Sequence, residues 1–349
     1  MPVIQNLIVD AFGAHIGKHS QRLKVTRKGE VLAQAPLIHL QSVTIANRGV
    51  SISAEAVREC TERGIPIHFL SGTGKPYASL YSAGLTGTAA TRRAQLLAYD
   101  QTRAVHLAIA FSSGKIQNQS NLLKYFAKYR KQTSPEIHRE LHLCSLEVLD
   151  VLLDLGRILQ YPEVRRGEAR LDDLRAEIMG LEGRAARTYW RAVRLLIPEQ
   201  YAFEKRIGRG ATDAVNSALN YGYGILYSEV ERALVLAGLD PYAGFLHADR
   251  PGKPSLTLDL IEEFRQPVVD RTVIGMTTRN MRLAVDEEGL LPKETRRLLA
   301  EKVLARLEKP ARYAGKRHPL RAIIQMQARH LATFLRGERP EYLPFEMQW

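Results

Sequence analysis

The feature that most constrains the fold of this chain is a change of hydrophobic period near residue 90. Up to about residue 82, short apolar segments alternate and are separated by glycine turns, as in β-strands. Beyond residue 92, apolar residues recur three and four positions apart through long segments, as in helices. We therefore predict an α+β protein with an N-terminal β-rich, sandwich-like domain (residues 1–82), a short linker (83–91) and a larger all-α C-terminal domain (92–349).

The first part shows local signals for a hairpin, a helix and a buried strand. The segments RLKVT and VLAQAP flank the turn residues 27–30, which predicts a β-hairpin. Ser53 is a candidate N-cap of a short helix that ends before Gly64, and IPIHFL then resembles a buried strand. These strands outnumber one sheet face, so two sheets are expected.

The stretch AGLTGTAAT at 83–91 is small and uncharged, as linkers are, and helical patterns follow it. We predict no βαβ alternation and no fixed-period repeat. The helical patterns cover, approximately, residues 92–111, 120–130, 136–159, 172–197, 212–237, 268–286, 293–307 and 319–336.

The charge of the chain limits its partners. Its 349 residues carry 50 Lys and Arg against 37 Asp and Glu, a net charge of +13. Such an excess favours a polyanion, nucleic acid before membrane. No apolar run approaches the roughly 20 residues that span a bilayer, and the N-terminus lacks the basic start of a signal peptide. Cys60 and Cys144 form no CxxC pattern, so we expect a protein of the reducing cytoplasm without structural zinc.

Basic residues are densest late in the chain, where some are expected to contact phosphates. This basic cluster comprises Arg312, Lys316, Arg317, Arg321, Arg329 and Arg336.

The stretch PYAGFLHADRPGKPSLTLDLIEEFRQP, residues 241–267, carries most of the chemically suggestive side chains. His247 follows a turn, and a predicted helix then presents Asp259, Glu262 and Glu263. Residues three and four apart share a helix face, so Asp259 lies beside either glutamate. An imidazole facing paired carboxylates is a candidate site for a divalent cation. Three basic residues nearby are candidates for holding an anionic substrate: Arg250, Lys253 and Arg265.

A plainer interpretation of the same helix is equally open at this point. Leu260, Ile261 and Phe264 form its apolar stripe, and Asp259 and Glu262 fall roughly opposite. Acidic residues opposite an apolar stripe usually form a solvated face. A single histidine after a turn is more often structural than a metal ligand.

A second carboxylate of interest lies in LEGRAARTYW, residues 181–190. Glu182 shares its helix face with Ala185 and Ala186, whose small side chains leave room for a metal and a phosphate. Arg184 and Arg187 flank it. Considered alone, Glu182 is best interpreted as a surface residue.

Three long segments in the correct order change this interpretation, because they strongly resemble the CRISPR-associated adaptation integrase/endonuclease ("Cas-one") family. These enzymes are metal-dependent endonucleases that insert new spacers into CRISPR arrays. The order of β domain, linker and helical domain resembles that family across the whole chain. The segments are LEGRAARTYW, LNYGYGILYSEVERALVLAGLDPYAGFLH and LDLIEEFRQPVVDR, with GKIQNQSNLLKYF and GIPIHFLSGTGKPYASL as further similar stretches.

The resemblance implies the site residues. In that family the catalytic, metal-binding set is a glutamate, a histidine and an acidic residue on the following helix, which correspond here to Glu182, His247 and Glu262. Asp259 is the neighbouring acid and a further candidate ligand. Glu263 is a rival for Glu262, although we expect its substitution to have little effect. The candidate DNA-binding residues are Arg250, Lys253, Arg265, Arg184 and Arg187.

The resemblance also implies cofactor and partners. Two carboxylates and one imidazole suit Mg²⁺ or Mn²⁺ with open water positions rather than closed zinc coordination. The expected reaction is attack of a DNA 3′-hydroxyl, or of water, on a phosphodiester. The expected partners are double-stranded DNA (protospacer and CRISPR array), a second copy in a homodimer and a small second adaptation protein. The alternatives are a structure-selective DNA repair nuclease and a non-catalytic basic scaffold that binds nucleic acid.

Overall fold

The computed structural model describes residues 4–82, 88–286 and 288–349, which form two compact units. The first unit comprises residues 4–82 together with Asn220–Ser228 and is rich in strands. The second comprises the rest of the described chain and is mostly helical. The predicted α+β class is therefore confirmed.

The first unit contains two four-stranded sheets, in the orders β1-β5-β7-β8 and β4-β3-β2-β6. In the first sheet β1, β5 and β7 are parallel and β8 is antiparallel; in the second, only β2 and β6 are parallel. The strands are β1 (Asn6–Val9), β2 (His15–His19), β3 (Arg22–Arg27), β4 (Glu30–Pro36), β5 (Ser42–Ile45), β6 (Ser51–Ile52), β7 (Ile67–Leu70) and β8 (Pro76–Leu80).

Local chemistry explains the turns of this unit. Lys28 and Gly29 both have positive φ (49° and 86°), as the two-residue turn between β3 and β4 requires. The Ser53 hydroxyl accepts a hydrogen bond from the amide of Ala56 (3.2 Å) and so caps helix α1 (Ala54–Glu62). Gly64, with φ +67°, follows its end. These three sequence predictions are confirmed.

One apolar core joins the sheets and α1, and includes Leu7, Ile16, Leu23, Val43, Ile45, Cys60 and Ile67.

Ten helices follow α1 in the described residues: α2 (Thr88–Ala98), α3 (Thr102–Lys128), α4 (Pro135–Ile158), α5 (Pro162–Arg165), α6 (Leu171–Arg194), α7 (Ala214–Leu236), α8 (Ser255–Ile261), α9 (Arg271–Thr277), α10 (Lys293–Leu307) and α11 (Leu320–Leu335). They belong to the second unit, except for the middle of α7, Asn220–Ser228, which belongs to the first. Helix α3 packs against α4 and α6 and also contacts α8, so it runs beside the segments that carry the candidate site.

Helix boundaries depart from the sequence predictions in three places. Residues 88–91, which we assigned to the linker, form the first turn of α2, while 83–87 lie outside the described residues. The expected helix over 268–286 is shorter, because a π-helical segment, Arg265–Asp270, leads into α9, which ends at Thr277. The predicted all-α domain also contains an antiparallel hairpin of β9 (Pro310–Tyr313) and β10 (Lys316–Pro319).

The helices of the described ranges also bear on the membrane question. None of them joins the length and the apolar character that crossing a bilayer demands. Even the long helix α3 carries Lys115, Lys124 and Lys128 among its apolar residues.

Candidate active site

The helical segment that follows His247 buries all three of its acidic residues. Asp259, Glu262 and Glu263 are 0%, 2% and 0% exposed. The interpretation of Asp259 and Glu262 as a solvated face is therefore wrong. Because a buried carboxylate is costly without partners, each must be bonded inside the protein. Each of the three has a different set of partners, which separates their roles.

Asp259 holds the loop that carries His247. Its Oδ2 accepts hydrogen bonds from the amides of Phe245 (2.7 Å) and Leu246 (3.1 Å). Its Oδ1 lies 2.9 Å from the His247 amide and 2.8 Å from His247 Nδ1. These four contacts use the acceptor capacity of the carboxylate. Asp259 thus positions the imidazole of His247, and metal binding by Asp259 stays a prediction.

Gly244 allows this loop to approach α8 closely. A Cβ added at Gly244 would lie 2.5 Å from the Ser255 Cβ and 2.7 Å from the Ser255 carbonyl carbon. Contacts this short do not occur between real side chains and backbone. The glycine before Phe245 therefore fixes how near the His247 loop comes to the start of α8.

The orientation of His247 follows from its contact with Asp259. Because the carboxylate can only accept, Nδ1 of the ring donates to it. The second nitrogen, Nε2, is then the atom left to bind a metal or a proton. The His247 side chain is 19% exposed, so the ring is mostly buried but still reached by solvent.

Glu262 is ionised and surrounded by positive charge. Its Oε2 lies 2.9 Å from Lys115 Nζ and its Oε1 lies 3.2 Å from Arg265 Nη2. Burial by itself would raise the pKa of Glu262, but Arg265, Lys115 and His247 together lower that pKa to about 2. A buried carboxylate that stays charged at neutral pH is a strong candidate for binding a cation.

Lys115 brings Glu182 to this place. Glu182 Oε1, on α6, lies 2.6 Å from Lys115 Nζ, and the same ammonium contacts Glu262. One lysine of α3 thus joins two carboxylates that are 80 residues apart in the chain. Burial would lower the pKa of Lys115, but the charges of Glu262 and Glu182 outweigh it and the pKa is raised. Sequence analysis missed Lys115; the available signal was a lysine within the apolar pattern of GKIQNQSNLLKYF.

Glu263 faces away from this group. Its Oε1 accepts from the hydroxyl of Tyr342 (2.6 Å), and its Oε2 accepts from the amide of Phe345 and the side chain of Gln327 (2.8 Å each). Burial raises the pKa of Glu263 to about 7. Of the two rival glutamates, Glu262 is the one beside Glu182.

Two of the candidate DNA-binding arginines are engaged within the protein. Arg265 contacts Glu262, as described above, and its side chain is only 25% exposed. Arg184 forms an ion pair with Asp154 of α4. Both therefore neutralise carboxylates, and their contact with DNA phosphates stays a prediction; the side chain of Arg184 remains 49% exposed.

The other three candidates, Arg250, Lys253 and Arg187, lie on the loop after His247 and on α6. Arg250 and Lys253 close a tight turn, in which the amide of Lys253 donates to the carbonyl of Arg250 (2.9 Å). Arg250 and Arg187 are exposed, and Lys253 is partly buried. These side chains remain candidates for phosphate contacts near His247 and Glu182.

The late basic cluster divides in the same way. Arg312, Lys316 and Arg317 are exposed on the β9–β10 hairpin. Arg321, by contrast, is buried and paired with Glu229 and Glu308 (Nε to Glu308 Oε1, 2.8 Å). Arg321 therefore neutralises buried and half-buried carboxylates and is not one of the exposed members of the cluster.

The donor atoms suit a divalent cation in type, although they are not gathered around one point. In residues 4–82, 88–286 and 288–349, no three His, Cys, Asp or Glu side chains lie close enough together to hold a metal ion. Glu182 and Glu262 nevertheless contact one ammonium group, that of Lys115, and the charge of His247 also acts on Glu262. Two carboxylates and one imidazole are ligand types that Mn²⁺ and Mg²⁺ accept. The residue types therefore fit such an ion.

Fold and site together define a class: a two-unit α+β protein whose helical unit joins two carboxylates and an oriented imidazole. Residues 7–304 match the family model described as CRISPR associated protein Cas1. The chain belongs to this family, as the sequence resemblance implied.

Individual relatives agree with this assignment over nearly the whole chain. CRISPR-associated endonuclease Cas1 1 of Archaeoglobus fulgidus is 39% identical over 355 residues, covering 98% of this chain and 99% of the relative. A casposase bound to integration product has the same fold, with TM-score 0.80, 23% identity and coverage of 99% and 95%. A Cas6-RT-Cas1–Cas2 complex gives TM-score 0.71 and 24% identity, covering 99% of this chain and 36% of the longer one.

Proposed function

We propose that this protein is a metal-dependent DNA endonuclease and integrase that inserts new spacers into a CRISPR array in the cytoplasm. Glu182, His247 and Glu262 are its catalytic, metal-binding residues. The observation that carries the proposal is the meeting of Glu182 and Glu262 at one buried ammonium, beside an imidazole fixed by Asp259. Membership of the Cas1 family supports it, and so does the endonuclease name of the Archaeoglobus fulgidus relative.

The side chains divide the work of a phosphodiester transfer. Asp259 orients the ring of His247 so that Nε2 is the nitrogen left to bind a metal or a proton. Glu182 and Glu262 would hold a Mg²⁺ or Mn²⁺ ion together with that nitrogen. When bound, such an ion supplies Lewis acidity to the attacking and leaving oxygens of the phosphodiester. Arg265 balances the charge of Glu262. Arg250, Lys253 and Arg187 would hold phosphates.

A joining assay tests the proposed reaction. The protein is incubated with supercoiled plasmid, Mn²⁺, the second adaptation protein, and short duplexes that end in 3′-OH or 3′-dideoxy nucleotides. Joining that requires the 3′-OH identifies an integrase. Metal-dependent cleavage of branched or flapped DNA without joining would identify a repair nuclease instead. DNA binding with neither reaction would leave a scaffold and reject the proposal.

The proposed partners rest on the same family membership. We propose that duplex DNA, as protospacer and as CRISPR array, is the substrate, and that a small second adaptation protein assembles with this chain. A solved neighbour that contains Cas1 with Cas2 supports the second partner, and a casposase bound to integration product supports the first.

We further propose a homodimer in which the first unit supplies much of the interface. Apolar side chains stand exposed on this unit, notably Ile38 (81%) and Phe12 (66%). Replacing both with aspartate is expected to convert the dimer to a monomer in light scattering, because apolar burial drives such association.

Point changes are preferable to deletion of residues 1–82, since Gly224 of α7 packs directly on Gly74. A matched double change at exposed Leu143 and Leu153 of α4 serves as the control. A dimer that survives the Ile38 and Phe12 changes would contradict the assignment.

Duplex binding is expected to be mainly electrostatic, and the β9–β10 hairpin to contribute to it. Neutralising Arg312, Lys316 and Arg317 to glutamine should reduce the slope of log affinity against log salt by up to about 3, because each phosphate contact releases about 0.9 counterion. Fluorescence anisotropy at several salt concentrations measures this slope.

The control for this change removes three exposed arginines that already pair with neighbouring acids. These are Arg58 with Glu62, Arg166 with Glu168, and Arg297 with Glu301. Their replacement by glutamine should leave the slope nearly unchanged. An equal slope in both triple variants would show that the hairpin faces plain solvent.

A further inference from the structure

Lys115 occupies the position between the two carboxylates to which the proposed function assigns a metal ion. Its ammonium lies 2.6 Å from Glu182 Oε1 and 2.9 Å from Glu262 Oε2. Only 12% of the lysine side chain is exposed. The ammonium of Lys115 thus already bridges the two proposed carboxylate ligands.

The local charge is balanced without any metal. Glu182 and Glu262 carry two negative charges, and Lys115 and Arg265 carry two positive ones close to them. Adding a divalent ion to this group would leave two uncompensated positive charges in a largely buried place, which is unfavourable. Entry of the ion therefore requires a basic group to leave or an anion to arrive.

Lys115 is the group able to leave. Arg265 binds Glu262 through a planar, branched guanidinium with several donors. Lys115 instead carries a compact charge on a flexible four-carbon side chain, which can swing away more easily. Nothing besides the two carboxylates holds its ammonium among the hydrogen bonds of the described residues, because its contacts are to Glu182 and Glu262. A DNA phosphate oxygen is a chemically suitable new partner for a displaced ammonium.

We propose that Lys115 is a built-in competitor of the divalent ion, which joins Glu182 to Glu262 in the free protein and moves to a DNA phosphate when metal and DNA bind. This inference rests on the proposed function and adds a positioning residue to it. Metal affinity is then weak in the free protein and rises when DNA is present. The arrangement limits metal-dependent cleavage to the DNA-bound state.

Metal binding without DNA gives the direct test. Mn²⁺ is titrated into the full-length protein and free Mn²⁺ is measured by electron paramagnetic resonance. Lys115→Met is expected to bind Mn²⁺ at least about tenfold more tightly than the wild type, equivalent to about 1.4 kcal/mol. Lys124→Met, nine residues further along α3, is the matched control and should bind as the wild type does. An unchanged or weaker affinity in Lys115→Met would overturn the proposal.

Two further Mn²⁺ titrations, one on Glu262→Gln variants and one with duplex DNA present, distinguish failure of this inference from failure of the proposed function. Glu262→Gln should abolish Mn²⁺ binding in both the wild-type and the Lys115→Met protein. If the wild type and Lys115→Met bind no Mn²⁺ even with duplex DNA, the proposed function itself fails. If Mn²⁺ binds, depends on Glu262 and is indifferent to Lys115, only this inference fails.

A wild-type measurement covers the case in which Lys115→Met does not fold. Amine acetylation followed by mass spectrometry reports how accessible each lysine is. Mn²⁺ without DNA should raise the labelling of Lys115 at least about threefold, because the ammonium loses its two carboxylates to the ion. Lys124 should label equally with and without Mn²⁺. Labelling of Lys115 that does not respond to saturating Mn²⁺ would overturn the proposal.

Discussion

Replacing Glu262 with glutamine is expected to reduce Mn²⁺-dependent cleavage and joining by at least about 10²-fold. Loss of a residue that only supports a metal ligand usually costs less than this. The change keeps size and removes one charge from a carboxylate whose pKa is about 2, so it takes away an ionised ligand. Glu182→Gln and His247→Asn are expected to have effects as large. DNA affinity should fall little, since no phosphate contact is removed.

The matched control for this prediction is Glu263→Gln. Glu263 lies next in the chain and is equally buried, but its contacts are to Tyr342, Phe345 and Gln327. This variant should retain activity within about threefold, because the ligand group keeps its charges. Initial rates of plasmid nicking, with DNA affinity measured in parallel, give the comparison. An inactive Glu263→Gln beside an active Glu262→Gln would reverse the ligand assignment.

Much of the fold was predictable because its signals are local. The turn at Lys28 and Gly29, the N-cap at Ser53 and the helix end at Gly64 each depend on a few neighbouring residues. Helix α10, Lys293–Leu307, was predicted at its observed bounds. The π-helical segment and the β9–β10 hairpin were missed, because tertiary packing determines them more than local pattern does.

The site was predictable only in part, for a related reason. The resemblance supplied Glu182, His247 and Glu262, and the structure brings the two glutamates to Lys115. Helix spacing alone placed Asp259 beside either glutamate and did not show that Asp259 holds the His247 loop. That role depends on the amides of the loop, which approach from outside the helix.

The C-terminal segment Tyr342–Met347 was also missed, although it buries the back of the site helix. Asn118 of α3 donates to the carbonyls of Glu263 and Phe345 and accepts from the amide of Met347. A Cβ added at Gly114 would lie 2.7 Å from Pro344, so a glycine is needed where α3 meets this segment. The spacing of apolar residues does not predict that an irregular segment such as Tyr342–Met347 is part of the core.

The sequence predicts that substitution of Glu263 has little effect on activity, and the contacts of Glu263 add a separate prediction for stability. Glu263→Ala is expected to lower the free energy of unfolding by about 3–5 kcal/mol. It would leave the Tyr342 hydroxyl, the Phe345 amide and one N–H of Gln327 without this acceptor, although Gln327 Nε2 keeps its bond to the Leu343 carbonyl (3.0 Å). Each unmet group costs about 1–3 kcal/mol. Urea unfolding followed by circular dichroism measures the change.

Glu263→Gln separates the loss of acceptors from the loss of charge. Its side-chain oxygen can still accept from Phe345 and Gln327, and its amide can donate to the Tyr342 oxygen. Burial raises the pKa of Glu263 to about 7, so the charged form is disfavoured there and a neutral amide relieves that cost. Glu263→Gln should therefore lower the free energy of unfolding by less than about 1.5 kcal/mol, well under the loss for alanine.

Glu341 is an exposed acid just before the segment, and Glu341→Ala should change the free energy of unfolding by less than about 0.5 kcal/mol. Equal losses for Glu263→Ala and Glu341→Ala would show that Tyr342–Met347 does not depend on Glu263, and that the helix bearing Glu262 is positioned from its other side.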